Sequence, residues 1–292
     1  MANKSVFCIV RYGEIALKGN NRQMFEKELA HNLKRCLKLN NLTYNAVLRL
    51  NGRFLVDLGC VEPETYKIIG NVFGISSISF AYEFSHDELE EGIDFLLKER
   101  KFSSFRITTR KVHHAVEKKS SDFDKELGGY VATKYNKKVL LEEYDLNINI
   151  ELIRDKAYMF LDKIKAIGGL PYGIEGKTLA VISGDYSSKG KDKERRDRDK
   201  LAAILMMKRG CSLVCIGKPI DFTKFGVRPR SVEVNIGNIQ DINEVAEKEG
   251  CKSVVLGQTL SDFEKVSSLV EFRPLIGMSD EEISAAVERY CG

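Results

Sequence analysis

Three groups of residues in this chain have the types and spacing that chemistry needs. The first is Arg11, Lys18 and Arg22, which punctuate the stretch Arg11-Tyr-Gly-Glu-Ile-Ala-Leu-Lys18-Gly-Asn-Asn-Arg22. The order of apolar residues, glycines and cations predicts an elbow between a strand and a long helix. Backbone N–H groups at such a helix start, flanked by cations, can grip phosphate. The second group is Ser183-Gly184-Asp185-Tyr186-Ser187-Ser188, a small-residue loop that follows the apolar run Thr178-Leu-Ala-Val181-Ile182. A strand, a small loop and a helix start can hold nucleotide phosphates through unpaired N–H groups and the helix dipole. The third is the cysteines: Cys8, Cys36, Cys60, Cys211, Cys215, Cys251 and Cys291. Their number is odd and they are scattered, with no C-x-x-C pair, so they read as buried thiols and indicate neither a zinc site nor a disulfide framework. No residue declares itself catalytic, and no metal site is expected.

The elements that position these groups fall into three segments. Residues 5–10 read as a strand. Asn21 to Leu39 reads as a helix with Phe25, Leu29, Leu33, Cys36 and Leu37 on its apolar face and Lys27, Lys34, Arg35 and Lys38 on the other. Two alternating runs then flank Asn51-Gly52, a strong hairpin signal. A second helix from Glu62 to Ile69 and a strand from Ser76 to Phe84 complete a β-α-β-β-α-β order, hence an α+β ferredoxin-like unit over residues 1–75.

A second α/β segment spans residues 76–167. It opens with an acidic amphipathic helix from Asp87 to Arg100 and continues with the strand Phe105-Arg106-Ile-Thr-Thr-Arg110-Lys111, whose alternation puts Arg106, Thr108 and Arg110 on one cationic face. A helix from Asp122 to Tyr135, with Ser121 as its cap, leads to a hairpin of Asn147–Ile153 and Ala157–Leu161. Ile167-Gly-Gly-Leu-Pro-Tyr-Gly173 is the clearest linker, and residues 168–292 read as a parallel α/β sheet with flanking helices. Its closing helix begins at Ser279-x-x-Glu282, a capping box. With 43% hydrophobic residues in 292, there is ample material for more than one core. No run approaches the roughly 18 apolar residues of a membrane span, and the first residues lack a signal-peptide pattern, so a cytoplasmic protein is expected. The net charge of +4 acquires meaning only where the cations cluster.

The elbow at Arg11 to Arg22 resembles the opening of the tRNA 4-thiouridine synthetase family, the sulfurtransferases also tied to thiamine biosynthesis. The Phe105-Arg-x-x-Thr-Arg strand and the Lys125-Glu-Leu-Gly-Gly helix resemble a THUMP domain, an RNA-binding module of tRNA-modifying enzymes. Phe272-Arg273-Pro-Leu-Ile-Gly-Met278 is similar to a segment of the family's C-terminal domain, a PP-loop ATPase. The resemblance implies a short form without a rhodanese-like domain, in which ATP and Mg²⁺ serve adenylation of uridine 8 in tRNA and persulfide sulfur then displaces AMP. It places ATP contacts on Val181, Ile182, Ser183, Gly184, Gly217, Lys218, Gly257 and Gln258, and tRNA contacts on Arg11, Lys18, Arg22, Arg106, Arg110 and Lys111. A persulfide donor protein and a second copy of the chain are further implied partners; the family's catalytic cysteine finds no matching position.

The phosphate loop departs from the family's Ser-Gly-Gly-x-Asp-Ser. Asp185 replaces the second glycine and Ser187 the aspartate. A carboxylate about 4 Å from a phosphate charge repels it by roughly 4 kcal/mol at an effective dielectric near 20. Residues 189–200 then insert a tract of seven Lys/Arg and four Asp/Glu, which reads as an exposed loop or added helical turns, or, from its excess of cations, as a tRNA contact. Two classes therefore stand open: a sulfurtransferase with an unusual loop, and a non-catalytic THUMP-type RNA-binding protein or partner of another tRNA-modifying enzyme.

Overall fold

A computed structural model describes residues 4–59, 64–112, 117–182, 191–217, 219–233 and 239–292. The elements run β1 (Val6–Tyr12), α1 (Arg22–Leu39), β2 (Ala46–Leu50), β3 (Arg53–Gly59), α2 (Thr65–Gly70), β4 (Ile75–Ser85), α3 (Leu89–Leu97), β5 (Ser104–Lys111) and α4 (Ser120–Tyr135). They continue with β6 (Lys138–Val139), β7 (Leu146–Ile153), β8 (Lys156–Phe160), β9 (Ile164–Lys165), β10 (Lys177–Ile182), α5 (Lys191–Lys208), β11 (Ser212–Gly217) and β12 (Arg230–Val232). The last are α6 (Ile239–Lys248), β13 (Ser253–Val255), β14 (Val270–Phe272) and α7 (Asp280–Cys291). The chain divides into two compact units: unit 1 comprises 1–12, 41–70 and 76–166, and unit 2 comprises 13–40, 71–75 and 167–292.

Unit 1 holds a nine-stranded mixed sheet in the order β2-β3-β1-β4-β8-β7-β5-β6, with β9 against β4. The Asn51-Gly52 turn forms as expected: Leu50 pairs with Arg53, and Gly52 takes φ 79°, which a side chain would disfavour. Strict alternation along the strands separates two faces. Phe84, Ile107, Ile148, Ile150, Leu152 and Met159 pack under α3 and α4. The opposite face carries an apolar row of Phe7, Ile9, Leu55, Ala81, Ile153 and Tyr158. The first turn of α4 begins one residue before Ser121, and its N-cap is Lys119, whose side chain makes no cap bond.

Unit 2 holds a five-stranded sheet, β12-β11-β10-β13-β14, with every pairing parallel. One face is packed by Leu201, Ala202, Ile204, Met207 and Ile283 of α5 and α7, the other by Ile242 and Ala246 of α6. Burial on both faces is why β10 and β11 read as continuous apolar runs. The predicted capping box closes the start of α7, where Glu282 N–H donates to Ser279 Oγ and Ser279 N–H donates to the Glu282 carboxylate. Helix α1 is part of this unit: Asn32 Nδ2 donates to the Tyr172 carbonyl at 2.9 Å, and Arg35 Nε to the Gly226 carbonyl at 2.9 Å.

Candidate functional site

The face of unit 1 turned away from α3 and α4 becomes polar where its apolar row ends. Parallel register sets Thr108 of β5 opposite Asn149 of β7, and Arg110 opposite Glu151. Antiparallel register sets Arg11 of β1 opposite Arg53 of β3. The same alternation that points Ile9 and Leu55 at the apolar row therefore points these two arginines at Glu151, which is only 2% exposed. Arg11 Nη2 donates to Glu151 Oε1 at 2.8 Å and Nη1 to Ser79 Oγ at 3.0 Å, while Arg53 forms an ion pair with the other carboxylate oxygen. The Arg11 guanidinium also lies 5.1 Å from the Phe160 ring.

Beside this buried pair opens a small pocket lined by Arg11, Thr108, Arg110, Asn149, Glu151, Phe160 and Lys163. Arg11, Arg53, Arg110 and Lys163 face one carboxylate, so the local charge is strongly positive. Partial burial, followed by the charges of Arg11 and Arg110, holds the Lys163 ammonium below the ordinary lysine range; Glu151 pulls the other way. A group of cations that raise one another's energy in this way gains when an oxyanion enters. Thr108 and Asn149 add neutral polar groups to the same wall.

The residues expected to touch RNA are dispersed by the fold. Arg11 and Arg110 meet in the pocket. Arg106 lies on the same face of β5 but donates to the Leu141 carbonyl at 3.1 Å and stacks 4.4 Å from the Tyr144 ring. Lys111 is exposed and donates to the Lys118 carbonyl. Lys18 and Arg22 belong to unit 2. There Lys18 Nζ lies 3.8 Å from Glu175 and 4.8 Å from the Phe25 ring, and Arg22 Nε donates to Glu26 at 2.8 Å. The stretch between Arg11 and Arg22 folds as two short 3-10 turns, Glu14–Leu17 and Gly19–Asn21. Arg53, Glu151 and Lys163 were not anticipated. Glu151 carried a signal, being a lone charge in the alternating run Asn147-Ile-Asn-Ile-Glu-Leu-Ile; Lys163 carried none, because it lies in the short connection between β8 and β9 and only the tertiary fold brings it to the pocket.

In unit 2 the strands β10, β11 and β13 run parallel and end at Ile182, Gly217 and Val255, the edge at which parallel α/β sheets receive ligands. Val181 and Ile182 spend their side chains in the two cores. Gly217, at φ 94°, must lack a side chain, since a Cβ would fall 2.1 Å from the Ile182 carbonyl oxygen. Gly257 is equally constrained: a Cβ would sit 2.4 Å from the Asp199 nitrogen, and its own N–H donates to Asp199 Oδ1 at 3.1 Å. Gln258 is 4% exposed and accepts a 2.8 Å bond from Arg273 Nε. Ser183, Gly184 and Lys218, together with Asp185 and Ser187, lie outside the described residues.

The charged tract is helical from Lys191 on, the first half of α5. Asp199 anchors it at Gly257, and Arg198 donates to Thr259 and, at 3.0 Å, to Asp262. The sequence masked this because its charges swamp the helical period, yet Arg196 and Asp199 are buried. None of the described cysteines is a ready thiolate. Burial pushes Cys8, Cys36 and Cys215 each up to about 12, and Cys211, Cys251 and Cys291 are raised for the same reason. Cys60 lies outside the described residues. Among the described residues no His/Cys/Asp/Glu group could hold a metal ion, and no helix is long and apolar enough to cross a membrane.

Fold and site define a class: an α/β chain with a cation-lined mixed sheet in one unit and a five-stranded parallel sheet in the other. Residues 7–79 match the ThiI ferredoxin-like domain, and residues 83–162 match the THUMP domain. A probable tRNA sulfurtransferase of Thermococcus kodakarensis is 30% identical over 94% of this chain and 85% of its own length. The chain belongs to the tRNA sulfurtransferase family. Further relatives of the same description come from Mycoplasmopsis synoviae, 31% identical over 90% of this chain and 62% of that one, and Clostridium kluyveri, 35% identical over 71% and 51%. The chain thus matches about half the length of the clostridial relative. Among solved structures, PH1313 from Pyrococcus horikoshii superposes with a TM-score of 0.80 at 28% identity, over 98% of this chain and 99% of that one. A 4-thiouridine synthetase in complex with RNA and ATP shares the fold, with a TM-score of 0.74 at 23% identity, over 98% and 85%.

Proposed function

We propose that this chain binds tRNA on the polar face of unit 1 and serves the ATP-dependent thiolation of uridine 8. The observation that carries the binding reading is the pocket lined by Arg11, Arg110 and Lys163, whose one buried carboxylate, Glu151, is also paired with Arg53. It would take a backbone phosphate, with Arg106 and Lys111 extending the contact along β5; Lys18 and Arg22, on unit 2, would be tRNA contacts of their own. ATP would enter the strand-end crevice of unit 2 at Gly217 and Gln258, with Mg²⁺ accompanying its phosphates. Gly217 supports this by ending β11 beside Ile182, at the edge where parallel sheets receive ligands, and bound ATP would supply the activation of the uridine oxygen. Sulfur would arrive as a persulfide on a separate donor protein, since every described thiol is held protonated by burial. The domain division 1–75, 76–167 and 168–292, a cytoplasmic location and a homodimer belong to the same reading.

A second reading, a non-catalytic RNA-binding partner of another modifying enzyme, draws on one observation. Asp199 already occupies the Gly257 N–H that a nucleotide would otherwise use. Two measurements separate the readings. Calorimetry with ATP, alone and with tRNA, is expected to show binding. Bulk tRNA from a deletion strain is expected to lose 4-thiouridine, with recovery on return of the gene. Absent ATP binding together with unchanged 4-thiouridine would leave the partner reading in place.

A further inference from the structure

We infer that Arg273 is a positioning residue for nucleotide recognition, fixing the Gln258 amide with its oxygen turned inward and its NH₂ left as a donor at the strand-end crevice. The inference rests on the reading of that crevice as a nucleotide site. Two groups face the same amide atom: Arg273 Nε at 2.8 Å and the Glu264 backbone nitrogen at 3.5 Å. Both can only donate, so the atom between them is the carbonyl oxygen, and chemistry alone decides which way the amide points.

Arg273 is itself immobilised. Its Nη2 donates to Glu271 Oε2 at 2.6 Å and to the Glu264 carbonyl at 2.9 Å, and its guanidinium lies 4.4 Å from the Phe263 ring. Glu271 in turn accepts from the backbone of Val266 and Ser267 at 2.8 and 2.7 Å, and Ser267 Oγ donates to Asn243 of α6 at 2.7 Å. A run of bonds from α6 thus ends at Gln258, just beyond β13.

With its oxygen engaged, Gln258 is 4% exposed, and no acceptor for its Nε2 lies among the described residues. The Nε2 is not among the enclosed polar atoms, and an accessible amide donor at the end of a parallel sheet fits an acceptor atom of a bound nucleotide. Gln258 then recognises by donation only. Were Arg273 removed, the amide could rotate and present its oxygen instead, which an acceptor rejects.

The test is calorimetric ATP binding to the full chain in the presence of tRNA. Gln258→Glu keeps an acceptor for Arg273 and abolishes the donor, so the melting temperature should hold while ATP affinity falls about tenfold. Arg273→Met should weaken ATP several-fold in the native background and add nothing in a Gln258→Ala background, whereas Arg273→Lys, which retains a donor, should restore part of the loss. Wild-type affinity in Gln258→Glu, or an Arg273→Met penalty that persists without Gln258, would overturn the assignment. A wild-type chain that binds no ATP would remove the nucleotide reading itself, and this inference with it.

Discussion

The polar groups of unit 1 and unit 2 are balanced in opposite ways. Around Glu151 the sheet collects more cations than its carboxylate can neutralise, and the excess faces an open pocket. Around Gln258 nearly every group is already matched to another: Arg273 to Glu271, Arg198 to Asp262, Gly257 to Asp199. Unspent charge of one sign marks a surface that waits for a polyanion. Polar groups that satisfy one another have little left to offer a ligand, and the Gln258 amide donor gains importance for that reason.

The largest effect should come from the buried ion pair. Glu151→Ala leaves two arginine guanidiniums facing each other at nearly buried positions, and breaking such a pair costs about 3–5 kcal/mol. Chemical denaturation should show that loss, and an unchanged midpoint would mean that water already shares the site. Next comes RNA binding. Reversing Arg110 and Lys163 together to Glu should cut tRNA affinity strongly and lower the log–log salt slope by roughly 0.9 for each phosphate the variant no longer neutralises. The same exchange at Lys18 and Arg22 should do less, because both already have carboxylate partners; an equal loss would move the RNA site away from the pocket.

Asp199→Asn keeps the fold of α5 and weakens the bond to Gly257 N–H, so stability should fall by about 1 kcal/mol. If that bond is what closes the crevice, ATP should bind more tightly to the variant; weaker binding would assign Asp199 a supporting role. The smallest effect is one of pH. Lys163 has a folded value below its unfolded one, so the folded chain releases this proton first and gains stability as pH rises between the lowered value and the usual 10.5. Binding of tRNA, which needs the charge, should decline over that window, and Lys163→Arg should abolish the decline. Arg11, Arg53, Arg110 and Glu151 are the charges that set it.

How far the sequence disclosed this can be followed element by element. The Asn51-Gly52 hairpin, the alternation of β5 and the Ser279 capping box are local devices, decided by residues within a few positions of each other, and all three appear as read. The pocket is different. Arg11, Arg53, Glu151 and Lys163 are far apart in the chain, and their meeting depends on the strand order β3-β1-β4-β8-β7 and on the turn after β8, which no local pattern encodes. The charged first half of α5 was ambiguous for another reason: its anchors, Gly257 and Asp262, lie about sixty residues downstream. Short elements such as β12 and β14, held by pairing alone, left no periodic trace.

The membership of α1 in unit 2 bears on how the molecule can be taken apart. The polypeptide passes between the two units at 12–13, 40–41, 70–71, 75–76 and 166–167. No single cut separates them. A fragment beginning after residue 166 would lack the helix whose Asn32 and Arg35 reach Tyr172 and Gly226, along with Phe73, which stacks on Phe225 at 5.1 Å. Such a fragment would expose apolar surface and aggregate, so each half's binding is better assigned by point changes in the intact chain. Interlaced units also share their fate in synthesis: unit 2 cannot finish folding until the last strand has emerged, although its first helix is made before most of unit 1.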